Sequence, residues 1–297
     1  MRLLALLTAI AALCAAASPS RAAYPGRPGA IAYVAGPIVV QILTPGGRTI
    51  VVAWSSTAPS WSPDGRFLAF SENATGHPSI AVARSTGAPY RRLTSKQRHF
   101  ADYNPTWSPD GKRIAFEREI VRASDQSGYA TDWISDIFVV DARGGHLRRL
   151  TRDGAKNTDP SWSPEGHTIA FTRSGNLVAL DVRTGIERPL VQDADAAAWS
   201  PDGRRLAFTR LVDPSTQAHA AFIVSARGGL PRRISPASLD VNSGVAWSPD
   251  GRQLALSAPT PEGLSGIYVV SADGRGRPRL RTRGSWPDWQ PLPTHPS

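Results

Sequence analysis

The sequence predicts an all-β fold: a six-bladed β-propeller of four-stranded antiparallel blades, closed into a ring by the C-terminal strand pairing into the first blade. Three observations predict it. A WSPDG-type motif recurs along the chain, each copy is followed by the same order of short alternating runs, and an orphan copy of the motif ends the chain.

The motif comes first. Trp61-Ser62-Pro63-Asp64-Gly65 returns as Trp107 to Gly111 (with Asp110), Trp162 to Gly166 (with Glu165 for Asp), Trp199 to Gly203 (with Asp202) and Trp247 to Gly251 (with Asp250). A degenerate copy stands at Trp289-Gln290-Pro291. Successive tryptophans are 46, 55, 37, 48 and 42 residues apart by subtraction, lengths that suit four short strands per unit. In the turn, the Asp is expected to cap local backbone and the Gly to take the positive φ of a tight hairpin. The six tryptophans are expected to fill the space between adjacent sheets.

The second strand carries Ala69, Ala115, Ala170, Ala207 and Ala255, each eight residues after its Trp and each followed by Phe or Leu. Small Ala suits the close approach of a neighbouring sheet. The third strand is an apolar run: Ile80 to Ala83, Ile137 to Val140, Leu177 to Leu180, Ala221 to Val224, Ile267 to Val270. The fourth is basic and ends on an apolar residue: Tyr90 to Leu93, Leu147 to Leu150, Glu187 to Leu190, Pro231 to Ile234, Arg277 to Leu280. Period-two alternation between Pro-Asp-Gly and Gly-Gly turns argues for strands throughout.

The first unit starts late. Ile31 to Tyr33, Ile38 to Leu43 and Arg48 to Val52 match strands two to four, with no motif strand before them. The orphan strand at Trp289 supplies the missing piece and removes both open edges.

The copies Pro59-Ser60-Trp61-Ser62-Pro63-Asp64-Gly65, with Leu150-Thr151 at the close of a fourth strand, resemble the WD-repeat-like propeller family typified by TolB, the periplasmic component of the Tol–Pal system. The resemblance runs from about Gly29 to Pro291 and implies the propeller fold. TolB carries a separate α/β domain ahead of its propeller, whereas here only a few residues stand between the expected signal and the first blade. The same repeats also precede the hydrolase domain of prolyl oligopeptidase-like enzymes, a domain not expected in this chain. A fold shared so widely leaves function to the site.

The 297 residues divide into an expected signal peptide, 1–22, and a single propeller domain, 23–297. Arg2 precedes the apolar stretch Leu3 to Ala17, and Ser20-Arg21-Ala22 offers small residues at −3 and −1 for cleavage. The stretch is shorter than the ~20 residues of a membrane span, so no transmembrane segment is expected after cleavage. Cys14 is the only cysteine and would leave with the signal. The expectation is an exported monomer, periplasmic or extracellular and associated with the cell wall, held together by core and sheet closure without disulfides.

Net charge is +10, and only Lys96, Lys112 and Lys156 are lysines among 34 basic residues. The arginines concentrate in fourth strands: Arg91, Arg92, Arg148, Arg149, Arg188, Arg232, Arg233, Arg277 and Arg279. They are expected to guard outer edges against association, or else to attract anionic wall or membrane polymers. Nucleic acid is not expected, since no aromatic-basic platform is interleaved in the sequence.

One face of the ring is expected to carry tight turns, and the other all the variation in length, which is where recognition belongs. The longest expected loop is Glu117 to Asp136, with Asp125, Tyr129, Asp132, Trp133 and Asp136; beside it lies a second, with Arg98, His99, Phe100, Asp102, Tyr103 and Asn104. Aromatic rings among acids suit a protein or glycan partner of the cell envelope. The competing role for Trp133 and Phe100 is to pack the loops down. Asn104, Asp159 and Asp195 are expected at the channel mouth, as loop caps or around a cation.

No nucleophile elbow, zinc helix or phosphate loop appears, and the six histidines are dispersed without metal-ligand spacing. No catalytic residue, cofactor or metal is therefore expected. The first expectation is a non-catalytic binding scaffold. The alternative is an envelope polysaccharide lyase or glycoside hydrolase, for which Asp102 with Asp132 or Asp136 is the carboxylate pair to examine.

Overall fold

The structure is a computed structural model that describes residues 23–36, 38–74, 76–95, 99–124 and 130–293. The expected signal peptide and the candidate residues Arg98, Asp125 and Tyr129 lie outside these residues.

Twenty-four strands form six four-stranded antiparallel sheets. Blade one holds β1 (Arg27–Ala35), β2 (Val39–Leu43) and β3 (Thr49–Trp54); blade two holds β4 (Ser56–Trp61), β5 (Phe67–Glu72), β6 (Ser79–Arg84) and β7 (Gly87–Arg92). Blade three holds β8 (Phe100–Trp107), β9 (Arg113–Ser124), β10 (Ala130–Asp141) and β11 (Arg148–Arg149). Blade four holds β12 (Asn157–Trp162), β13 (Thr168–Arg173), β14 (Asn176–Asp181) and β15 (Glu187–Val191). Blade five holds β16 (Asp195–Trp199), β17 (Arg205–Asp213), β18 (Ala218–Ser225) and β19 (Arg232–Arg233). Blade six holds β20 (Ser243–Trp247), β21 (Gln253–Pro259), β22 (Ser265–Ser271) and β23 (Arg279–Arg283), and the chain ends with β24 (Ser285–Leu292). Blade one is completed by β24, giving the order β24-β1-β2-β3. First strands touch one another in turn around the whole ring, so they are innermost. Among the described residues no helix is long and apolar enough to cross a membrane.

The motif does what its chemistry predicts. Asp64 Oδ1 accepts from the Ser62 hydroxyl at 2.5 Å and from the Arg66 amide at 3.0 Å. Gly65 takes φ +67°, and a Cβ there would meet the Pro291 carbonyl oxygen at 2.4 Å. The same capping recurs at Asp110, Asp202 and Asp250. All six repeat tryptophans are buried, as are the recurring Ala and the Phe or Leu beside it. Trp107 Nε1 donates to Ser60 O of the preceding blade and Trp247 Nε1 to Ala198 O, tying first strand to first strand.

Two features of the strands were not legible. The residue three before each Trp is left-handed: Ala58, Asn104, Asp159, Ala196, Gly244 and Trp286 all have φ between 51° and 69°. There the first strand slips register against the second, a bulge repeated around the axis. Blade six also shifts its last strand, expected from Arg277, to Arg279–Arg283, because Gly274 and Gly276 at positive φ lengthen the turn before it.

The fourth-strand arginines are more than an exposed basic rim. Arg91 donates to Arg143 O and Ala142 O, Arg148 to Val182 O, Arg188 to Ala226 O, and Arg232 to Asp273 O and Ala272 O. Ala142, Val182, Ala226 and Ala272 each follow the third strand of the next blade. Four consecutive blade joints therefore share one guanidinium clasp. The companion arginines bond within their own blade and the segment that trails it, Arg92 to Glu72, Arg149 to Asp136 and Thr151 O, Arg233 to Ser235 O.

Candidate functional site

Blade three is where the ring departs from its own repeat. Both segments expected to be loops on its variable face are strands. Phe100 to Tyr103 pair with Ile120 to Glu117, and Glu117 to Ser124 pair with Ile137 back to Ala130. The loop expected over Glu117 to Asp136 is thus a long hairpin whose flanks are strand up to Ser124 and from Ala130. The result is a three-stranded extension of the blade, raised on the face opposite the WSPDG turns.

The side of this extension that faces blade two holds an ion pair. Asp102, Arg118 and Asp136 lie side by side across β8, β9 and β10. Arg118 Nε and Nη2 bind Asp102 at 2.6 and 2.8 Å, and its guanidinium lies 4.9 to 5.4 Å from the rings of Phe100, Phe116 and Phe138. Asp136 accepts from Arg149 and, at 2.7 Å, from the Thr151 hydroxyl. Asp102 and Asp136 are 1% and 0% exposed, so both are buried anchors of the hairpin. Phe100 packs here as well. Neither carboxylate is placed to donate a proton to a substrate, whereas Asp132 is exposed near the end of the hairpin.

The side facing blade four holds the acids and an aromatic ring. Ser135 N donates to Ala155 O and Ser135 bridges Lys156, which docks the lead-in of blade four against β10. Lys156 Nζ sits 3.6 Å from the centre of the half-buried Trp133 ring. Deeper, Asn104 Nδ2 donates to Glu117 Oε2 and to Asp159 Oδ1, both at 3.0 Å, and the Asp159 amide donates to Glu117 Oε2 at 3.3 Å. Glu117 thereby holds the left-handed bulge of the next blade, as Ser257 does when it accepts from the Trp286 amide. Tyr103, Thr158 and Asp195, one residue before the bulge in three successive blades, are half-buried at the mouth.

Burial raises the proton affinity of these acids. Glu117 is pushed up to about 8, first by burial and then by Glu119, against the hydrogen bonds from Asn104 and Asp159. Glu119 is pushed up to about 7 by burial, with the Lys156 charge pulling the other way. Burial raises Asp195 too, as does Asp193, while His219 opposes. Among the described residues no three His, Cys, Asp or Glu side chains are grouped to hold a metal.

Of the candidate residues, Asn104 is buried against Glu117, while Tyr103 and Trp133 are half-buried on the blade-three extension. His99 is exposed at the foot of β8, Asp132 is exposed, and Asp102 and Asp136 are in the interior. In the sequence Glu117 marks only the boundary of an expected loop, and neither Glu119 nor Lys156 stands in a motif. A signal for Glu117 was present: two residues after the repeat Ala stand Ser71, Glu117, Thr172, Thr209 and Ser257, and the one carboxylate breaks a column of hydroxyls.

Comparison with known proteins adds a family. The TolB beta propeller domain matches residues 30–176. The Tol-Pal system protein TolB of Bordetella pertussis is 35% identical over 121 residues, 40% of this chain and 25% of that protein, so the match takes in a quarter of the relative's length. The crystal structure of TolB from Acinetobacter baumannii superposes with a TM-score of 0.72 at 24% identity, over 89% of this chain and 67% of that one. An oligogalacturonate lyase in complex with manganese has a TM-score of 0.58 at 13% identity, over 83% and 71% of the two chains. At these identities both structures speak for the fold alone.

Proposed function

We propose that this chain, which belongs to the TolB-like family of six-bladed β-propellers, is an exported, non-catalytic scaffold that holds a protein partner of the cell envelope on its long-hairpin face. The observation that carries the proposal is the blade-three extension. A ring built from short turns raises one three-stranded flap on one face only, and beside it sets a half-exposed indole, a lysine and partly desolvated acids. Aromatic anchors next to charged groups at the edge of a desolvated mouth are the makings of a protein hot spot. Glu117 and Glu119 keep much of their proton load near neutral pH, so the docking surface rests on the Trp133 indole and the Lys156 charge rather than on a negative field.

The test is affinity capture from envelope extracts of the source organism, with the native chain and with a Trp133→Ala/Lys156→Ala chain. A discrete protein retained by the native chain and lost with the variant is the expected result. Equal capture by both forms overturns the placement.

The catalytic alternative, lyase or glycoside hydrolase, rests on the raised proton affinities of Glu117 and Glu119 rather than on Asp102 and Asp136. It predicts that Glu119→Gln abolishes turnover of an acidic or neutral wall polysaccharide while leaving protein capture intact.

A further inference from the structure

Residues Ala23 to Gly26 precede β1 and cross the axis of the ring on its tight-turn face. Their hydrogen bonds fix that path. The Gly26 amide donates to Pro249 O at 3.2 Å in the first turn of blade six. The Ala23 nitrogen donates to Trp199 O at 3.3 Å in blade five. The Tyr24 hydroxyl donates to Trp107 O in blade three. Blades three and six stand opposite one another in a ring of six, so four residues that reach both must span the centre.

The segment is part of the interior. Ala23 and Tyr24 are 6% and 4% exposed, and they belong to the buried clusters built around Trp247 and Trp107. Gly26 lies so close to the last strand that a Cβ would meet Leu292 O at 2.4 Å. Burial, then the charges of Asp288 and Asp110, hold the Tyr24 phenol well above its ordinary value, which keeps it an O–H donor. These bonds connect the start of the first blade to its neighbour, blade six, and to the distant blades five and three, and ladder pairing between neighbours cannot make the last two connections.

The first residue of this segment, Ala23, is also the residue that cleavage after Ala22 would place first. We propose that the tight-turn mouth of the ring is a binding site for the chain's own amino terminus, set free by hydrolysis of the Ala22–Ala23 bond. Hydrolysis adds one water, leaving a carboxylate on Ala22 and an ammonium on Ala23, and the peptidase of the export pathway acts while this stretch is still extended. The ammonium then donates to Trp199 O in place of the amide, a charge-assisted bond stronger than the one it replaces. The site selects a small first residue and an aromatic hydroxyl second. It also seals one end of the axis, leaving the hairpin face as the side on which a partner docks.

The experiment uses the full-length chain exported from a bacterial host. Intact mass is read before and after incubation with a broad aminopeptidase, for the native chain, Tyr24→Phe and Tyr24→Ala. The expected native mass begins at Ala23 and does not change, since the terminus is held. Tyr24→Ala should lose Ala23 about tenfold faster or more and melt several degrees lower. Tyr24→Phe keeps the ring and loses only the hydroxyl bond, so it should fall between them even if the alanine variant folds poorly. A native chain trimmed as fast as either variant, or a mature chain that begins at another residue, overturns the proposal.

Discussion

The Lys156 ammonium lies 3.6 Å from the centre of the Trp133 ring, joining the lead-in of blade four to the raised hairpin of blade three. An exposed cation–π contact contributes about 0.5–1 kcal/mol, small beside the stability of roughly 5–15 kcal/mol common to folded domains. The pair therefore matters less for folding than for the orientation of the indole. Lys156→Ala is expected to move Tm by no more than about 2–4 °C. The same substitution should weaken partner capture by about tenfold, the scale of a disturbed hot-spot aromatic. Unchanged capture by a normally folded Lys156→Ala chain would show that the indole is not part of the docking surface.

The buried carboxyls make stability depend on pH in a stated direction. Glu117 and Glu119 are pushed up to about 8 and 7 in the fold, whereas an unfolded Glu titrates near ~4.3. Below that lower value both states are protonated and the acids cost nothing. As pH rises from there towards 8, the unfolded chain releases protons that the folded chain retains, so stability falls through this window. Glu117→Gln removes the larger effect and keeps a carbonyl oxygen for the Asn104 and Asp159 donors. Calorimetry at pH 5 and pH 8 should show a steeper fall in Tm for the native chain than for the variant, with the variant the more stable at pH 8. Parallel falls in the two proteins would show that water reaches the Glu117 carboxylate.

The arginine clasps predict a substitution series. Arg91 and Arg232 each send two guanidinium nitrogens to carbonyls of the next blade, at 2.7 to 3.0 Å. Replacing either by Ala should cost about 1–2 kcal/mol, with Tm lowered by several degrees. Lys restores the charge but not the fork, so it should recover less than half of the loss. Full recovery with Lys, read by thermal melting, would mean that charge rather than the paired bonds holds the joint.

The repeat was legible because each part of it performs a local task that depends on residue type. Trp61 and its counterparts fill the gap between sheets, Asp64 caps a turn, Gly65 supplies positive φ, and the lone Trp289 announces the closing strand. The hairpin of blade three was not legible for a physical reason. Its strands alternate Glu117, Glu119 and Val121 with Arg118, Ile120 and Arg122. Both faces therefore read as polar, although at their base Arg118 is buried in an ion pair and Glu117 is buried and hydrogen-bonded. The clasps were hidden in another way, since their acceptors are backbone carbonyls of Ala142, Val182, Ala226 and Ala272, which no side chain advertises. Sequence patterns report what a residue buries more readily than which distant backbone it meets.

Ring closure gives the last prediction. β24 pairs with β1 through Trp289 opposite Ile31 and Asp288 opposite Ala32, and Trp289 is 8% exposed. The same strand reaches forward into blade two, where Asp288 Oδ2 accepts from the Trp61 amide at 2.7 Å and Gln290 Nε2 donates to Gly65 O at 2.8 Å. Removing 285–297 thus withdraws a buried indole, worth about 3–5 kcal/mol, together with the partner of β1 and the acceptor of a buried amide. The loss is comparable with the whole stability of a typical domain, and it opens an apolar edge at β1 to other chains. The truncated chain should aggregate or melt without cooperativity, while Asp288→Ala, which orphans only the Trp61 amide at about 1–3 kcal/mol, should still melt in one step at lower temperature. Cooperative melting of the truncated chain within a few degrees of the full one would show that blade one holds without its innermost strand.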